Sequence, residues 1–426
     1  MARKNKYLWC CGGIALACVV VYFPILGHDF INGWDDQWQV INEYTETWSW
    51  ANVWYILTEY YYGQYSPTNQ MLYTILHHFA GYHPAWFHLL CLLLHTGNAL
   101  LVFVLARQLL QVNLPAGSDG KAITVALGVA LLFAVHPLQV ESVAWISASK
   151  ILVYSFFYLW ALWCYLCYLQ KGKGIRYFAM LLCFVLSFGG KEQAIMLPAC
   201  LLWIDLVYRR NFRDSKLWYE KMPVFVLTLL FVYTTMESTG HVKTLIEGEN
   251  YPFVHRLVFT CYAFCEYIVK TFFPAKLLYL YPFPMLAGEP LPPRFWMYPV
   301  LLLIVGAAFW KFWKQRPVWL GMSWFLIHIA MMLHIVPLPR LSIVADRYIY
   351  LAAPGLFFIV TWYAYAAWES RPQYRRWIFA GSVACLLLLG ALAHHRAAVW
   401  HDNASLKKDM QELLLQRDPT LNRTVN

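Results

Sequence analysis

The chain has 426 residues, of which 60% are hydrophobic, 18% aromatic and only 13% charged. Soluble domains carry about a quarter charged residues, so this composition excludes an ordinary soluble protein and points to a polytopic membrane protein. The net charge of +10 is read as loop Lys and Arg that set topology, not as a nucleic-acid footprint.

In chain order, MARKNK precedes an apolar run with no convincing cleavage site, so residues 7–27 read as a retained first span. Arg3, Lys4 and Lys6 place the N-terminus in the cytoplasm and send the next segment outside. Residues 28–83 then form a first external loop, too polar to span. It opens with INGWDDQWQVINE (31–43), where Asp35 and Asp36 sit between Trp34 and Gln37-Trp38. Residues 44–62, rich in Trp, Tyr and Thr, are expected to form short interfacial helices.

Further spans are expected at about 84–106, 122–136, 151–169, 177–190, 194–208 and 223–236. LQVESVAWISASK (138–150) lies between two of them as a short external segment, and YRRNFRDSKLWYEK (208–221) is the most basic inside loop. Residues 255–275 are apolar but interrupted by Arg256, Glu266 and Lys270. A crossing there would put KFWKQR outside, so this stretch reads as an external interfacial or re-entrant helix within a region at 237–296. Spans at about 297–313, 317–336, 348–366 and 377–395 bring the total to about eleven. A membrane domain over 1–395 would thus be followed by a short external tail, 396–426. The eleven cysteines lie mostly in apolar runs, as Cys164 and Cys183 do, without metal-ligand spacing. No metal is expected.

This parity sorts charge by role. Basic inside loops need no further explanation. Asp35, Asp36, Glu141, Lys150, Lys191, Glu192, Arg340 and Arg347 all fall at the external side. An ionisable group near hydrocarbon costs about 2.5–3.5 kcal/mol on insertion scales, so such a set is a functional candidate. A carboxylate of the Asp35-Asp36 pair suits a general base. Lys150, Lys191, Arg340, Arg347 and His136 suit a phosphate. Plainer roles stand beside these: a solvated acidic turn, a span-end anchor at His136, a Lys191–Glu192 ion pair, an Asp346–Arg347 cap, and belt positions for Tyr348 and Tyr350. No internal repeat is visible, which weighs against a transporter.

Five blocks carry a resemblance over nearly the whole chain. They are WDDQWQVINE with YSPTNQMLYTILHHFAGYHPAWFHLLCLLLHTGNALLVFVL, LLFAVHPLQVESVAWISASK, GGKEQAIMLPACLLWID, ADRYIYLAAPGLFFI and WHDNASL. Their order and spacing resemble the transmembrane part of the TMTC-type (transmembrane and tetratricopeptide-repeat) O-mannosyltransferase-like family, closest to its bacterial members. That family resembles GT-C glycosyltransferases. The resemblance implies an all-α GT-C-like membrane fold and transfer of a sugar from a polyprenyl-phosphate carrier to a protein, glycan or lipid hydroxyl. It implies inversion by direct displacement at the external leaflet of a bacterial inner membrane, without a cofactor. The resemblance maps the base onto Asp35 and Asp36; from their external placement, Lys150, Lys191, Arg340 and Arg347 are assigned to the donor phosphate, and Trp34, His136, Glu141 and Glu192 to the lining of the site.

Two features depart from the family pattern. After Trp-Ile this chain has Ser-Ala-Ser-Lys-Ile-Leu, which keeps a cation at Lys150 but lacks the family's carboxylate. No tetratricopeptide repeats follow, so the acceptor is expected to be small, lipid-linked or delivered by a partner protein. A lipid-linked-sugar flippase and a non-catalytic subunit of an envelope complex are the rival readings.

Overall fold

In lipid a backbone must pair its N–H and C=O groups internally, and apolar runs of this length do so by closing into helices. The computed structural model describes residues 2–115, 117–243, 251–286, 288–335 and 342–417. Among these the only β pairing is two isolated bridges, Tyr61–Gln64 and Tyr281–Val344. The first long helix, α1 (Ala2–Tyr22), leads into four short elements: α2 (Asp36–Gln39), α3 (Glu43–Glu46), α4 (Trp50–Thr58) and α5 (Pro67–Ala80). Next come α6 (Pro84–Asn113), α7 (Asp119–Val135), α8 (Val140–Ala144), α9 (Ser149–Lys171), α10 (Gly174–Phe188), α11 (Leu197–Val207) and α12 (Ser215–Lys243). The remainder comprises α13 (Phe253–Phe272), α14 (Met297–Trp313), α15 (Arg316–Ile329), α16 (Ala353–Ser370), α17 (Arg375–Ala397) and α18 (Asn403–Arg417).

Among the described residues five helical stretches are long and apolar enough to cross a membrane: Asn5–Gly27, Pro84–Asn113, Ile146–Lys171, Pro293–Trp313 and Pro372–Trp400. A sixth is added if Asp119–Val135 and Pro137–Ala144, which meet at a 55° bend, count as one broken span. The chain is thus an α-helical membrane protein. Helices α6, α7 and α9 form the centre, with α10 against α9 and α16 against α7 and α15. At the α15–α16 crossing a Cβ on Gly321 or Gly355 would run into the other residue's carbonyl, so the two glycines allow the close approach. By contrast α14 buries no residue and turns Leu303, Ile304 and Trp310 outward, as expected for a helix facing acyl chains.

Several boundaries differ from the sequence reading for physical reasons. The expected span at 223–236 belongs to a helix that begins at Ser215 and continues through Pro223. Its first turns are held by an ionic cluster. Asp205 takes Lys221 at 2.7 Å and Arg210 at 3.1 Å, and Arg210 also takes Glu220 at 2.8 Å. Tyr165 donates its hydroxyl to Asp205 at 2.5 Å. That cluster anchors the helix ahead of the proline and compensates for the backbone bond Pro223 cannot make. Segment 138–150, expected as an external loop, is buried throughout between α6, α9 and α17. Tyr348 and Tyr350, expected in the aromatic belt, are buried too. The Tyr350 hydroxyl lies 2.8 Å from His95 Nδ1 and accepts from Asn98 Nδ2 at 3.2 Å. Buried hydroxyls need such partners, and α6 supplies both.

Candidate functional site

The two adjacent aspartates have opposite surroundings. Asp36 opens α2 and is fully buried. One carboxylate oxygen accepts the Ile31 N–H at 2.8 Å, and the other accepts the Ser147 N–H at 2.9 Å and the Ser147 hydroxyl. Asp36 therefore ties the first loop to the turn before α9. Burial pushes its carboxyl up to about 6, helped by the neighbouring Asp35 and opposed by the bonds from Ser147 and Ile31. Asp35 sits one residue earlier, at the N-cap of α2, and is only half-buried.

Gln39 sits one helical turn on from Asp35 and holds the site together. Its Nε2 donates to Asp35 Oδ2 at 3.1 Å, and its Oε1 accepts from Lys150 Nζ at 3.0 Å. An ammonium only donates, so the amide oxygen must face Lys150 and the amide nitrogen must face Asp35. Gln64 Oε1 takes a second Lys150 proton at 2.8 Å. Gln64 is placed by the turn closed by the Tyr61–Gln64 bridge, whose central residues Tyr62 and Gly63 have φ of 46° and 69°. Positive φ at both is the mark of a tight type I′ turn. Asp35 lies within electrostatic reach of both Lys150 and Arg347, and Lys150 within reach of Lys191, Glu192 and Arg347.

Lys191 reaches the cluster because two glycines precede it. A Cβ on Gly190 would lie 2.7 Å from the Tyr154 backbone nitrogen, and one on Gly189 would strike the Thr68 hydroxyl. The Gly189 carbonyl accepts the Thr68 N–H at 2.8 Å, which docks α5 on this turn. Lys191 and Glu192 form an ion pair at 3.3 Å. Arg347 is clamped by Glu141, whose carboxylate accepts from the guanidinium and, at 2.7 Å, from the Arg347 backbone N–H. The guanidinium lies over Trp145 at 5.4 Å and Tyr348 at 5.0 Å. The expected Asp346–Arg347 cap is replaced by two separate contacts: Arg347 pairs with Glu141, and Asp346 accepts the Tyr281 hydroxyl at 2.9 Å. Burial pushes the Asp346 carboxyl up from its ordinary range, against the pull of Lys270.

The other expected site residues fall elsewhere. His136 is buried; its Nδ1 accepts the Leu138 N–H at 3.2 Å and its Nε2 faces the Thr271 carbonyl at 3.0 Å. That pattern fixes the Nε2–H tautomer and makes the ring a tie between the α7 end and α13. Trp34 packs edge-on against Tyr279 at 4.8 Å, at the rim. Arg340 lies outside the described residues. The segment expected as a short external tail also joins the rim. Gly33 N–H donates to Asn403 Oδ1 at 3.0 Å, Asp29 N–H donates to the His401 carbonyl at 3.0 Å, and Arg396 meets Asp409 at 2.5 Å. Leu406 and Met410, on α18 of this segment, are buried.

Three cations and three carboxylates thus converge from five segments at one end of the bundle. Glu192 engages Lys191 and Glu141 engages Arg347, whereas neutral amides hold Lys150. Asp35 is the half-exposed carboxylate facing that ammonium through Gln39. Among the described residues no group of three or more His, Cys, Asp or Glu is placed to hold a metal ion. Comparison with protein-family models found no match to this chain, and comparison with curated proteins found none.

Proposed function

We propose that the protein is a GT-C-like inverting glycosyltransferase that moves a sugar from a polyprenyl-phosphate carrier to a hydroxyl acceptor. The observation that carries this reading is the half-exposed carboxylate of Asp35, held by the neutral Gln39 amide within reach of Lys150 and Arg347, with Lys191 next to Lys150; the other half-exposed carboxylate, Glu192, is tied to Lys191. In this reading Asp35 takes the acceptor hydroxyl proton while that oxygen attacks the sugar's anomeric carbon. The bond from that carbon to the phosphate oxygen breaks, and the electron pair leaves with the lipid phosphate. Lys150, Lys191 and Arg347 face the charge that grows there, fixed in advance by Gln39, Gln64, the glycine turn and Glu141. Asp36 orients the loop and does not take the proton.

The topology that goes with this function has about eleven spans, the N-terminus inside and the site at the external leaflet of a bacterial inner membrane. Helix α4 supports an interfacial placement of the first loop, since Trp50, Trp54 and Leu57 are exposed on it. Helix α13 supports the external assignment of 253–272. Its Arg256 donates to the Ile335 carbonyl at 2.8 Å, and its Thr271 carbonyl meets His136. Both of its ends therefore reach the ends of expected spans (122–136 and 317–336) that are assigned to the outer side.

The test is transfer by the purified protein from a radiolabelled polyprenyl-phosphate sugar to a panel of hydroxyl acceptors. Wild type is expected to transfer, with Asp35→Asn and Lys150→Met each reduced by at least a hundredfold. A wild type that transfers nothing, or an Asp35→Asn protein of full activity, ends the reading.

A further inference from the structure

Beside the charged cluster, and sharing a wall with it, is a shallow, open cleft built by the first loop. Its chemistry differs from that of its neighbour. Four aromatic rings line it, those of Trp38, Tyr44, Tyr55 and Tyr61. The polar lining is uncharged apart from Glu59: the carboxamides of Gln39, Gln64, Asn69 and Gln70, with Ser66. No Lys or Arg is among the lining residues, so the cleft lacks what a phosphate needs.

Aromatic faces carry a negative quadrupole that attracts the weakly positive C–H face of a pyranose ring. Carboxamides and a carboxylate supply donors and acceptors in the plane of the ring's hydroxyl groups. The cleft supplies both. Its floor is rigid where such recognition requires it. Gln70 Nε2 is fixed by Thr45 Oγ1 at 2.7 Å, and Asn69 Oδ1 accepts from Ser149 at 3.0 Å. The Tyr44 hydroxyl donates to Glu59 at 2.9 Å, which poises that carboxylate at the edge. The walls are helices and one tight turn whose Tyr61 and Gln64 backbone groups pair with each other, so no strand edge is offered to an extended peptide.

We infer that this cleft is a saccharide-binding site and that the acceptor hydroxyl is carried by a glycan rather than by a Ser or Thr side chain. Gln39 makes the connection: it lines the cleft and donates to Asp35. A pyranose seated against Trp38 and Tyr61 brings a hydroxyl toward the carboxylate beyond that amide. The acceptor role rests on the transferase reading; the binding of a saccharide does not.

The experiment is saturation-transfer NMR on the purified full chain with methyl α-D-mannopyranoside, methyl β-D-glucopyranoside and methyl β-D-galactopyranoside, without donor lipid. Expected is saturation of ring C–H protons for at least one pyranoside. That signal should fall about tenfold in Tyr55→Ala and in Glu59→Gln, both altered at exposed positions, and persist in Asp35→Asn. With donor present, Tyr55→Ala is expected to raise the acceptor KM about tenfold with kcat little changed. The inference is overturned if no pyranoside binds, if both cleft variants bind as wild type does, or if a Ser/Thr peptide accepts sugar and the pyranosides do not. Pyranoside binding without any transfer from the donor would instead leave the cleft standing and sink the transferase reading.

Discussion

Asp35 and Asp36 are joined by one peptide bond, yet one carboxylate is half-exposed beside a Lys150-bound amide and the other is sealed under three donors. The two should therefore fail differently. Asp35→Asn is expected to fold normally and lose transfer by about 10²–10⁴-fold, the usual worth of a general base. Asp36→Ala strands the Ile31 and Ser147 donors in a buried place and should destabilise the protein by about 3 kcal/mol. Thermal unfolding in detergent alongside the transfer assay separates the two; equal melting temperatures would refute the assignment.

The glycine turn before Lys191 carries a second prediction. Alanine at Gly190 must displace the Tyr154 backbone, and overpacking of this kind costs about 1–3 kcal/mol. Because Lys191 and Glu192 follow directly, the displacement should also weaken donor binding. Gly190→Ala is expected to raise the donor KM and lower the melting temperature together. A variant with an unchanged donor KM would show that Lys191 has no part in holding phosphate.

The Asp205 cluster should behave in the opposite way. Lys221 and Asp205 are both buried, and breaking such a pair typically costs 3–5 kcal/mol because the surviving charge is left alone. Tyr165, which joins the cluster, is fifteen residues along α9 from Lys150, about 22 Å at the helical rise. Asp205→Ala should thus lower stability steeply and leave kcat per folded molecule within about twofold. A selective loss of kcat would mean the two ends of α9 communicate.

A pH effect follows from the junction where the first loop meets the segment after α17. Burial and the neighbouring His401 hold His28 down at about 4, against the Trp400 carbonyl, Asp29 and Asp402. Its ordinary value is about 6.5, so between pH 6.5 and 4 the unfolded chain binds a proton that the folded chain does not. Stability from this group is therefore complete above pH 6.5 and falls as the pH drops toward 4. The melting temperature should decline across that window, and less steeply in His28→Gln. Superimposable curves would exclude His28 as the source.

How far the site was legible in the sequence depends on the kind of contact. Charges stranded at span ends are visible from topology alone, and Asp35, Lys150, Lys191, Glu141 and Arg347 do converge. What separates Asp35 from Asp36 is burial by Ser147, 111 residues away, and no local pattern encodes that. Gln39 was visible in principle, four residues from Asp35 on a helical face. Gln64 was not, because its position depends on a turn in which a tyrosine takes positive φ. Likewise Pro223 reads as a helix boundary on propensity, but the ionic cluster around Asp205 overrides it.

The bond from Gly33 to Asn403 spans 370 positions. A ribosome adding roughly 5–20 residues per second must work for tens of seconds after Gly33 is made before its partner exists. Throughout that interval Asp35 is already synthesised while Ser147, Lys150, Lys191, Arg347 and Asn403 arrive one after another. On the proposed transferase function, the charged cluster is complete only once Arg347 has been made, and the rim of the loop only once residue 403 has docked. A nascent chain stalled before Arg347 would therefore hold Asp35 without the full set of cations that surrounds it in the finished fold.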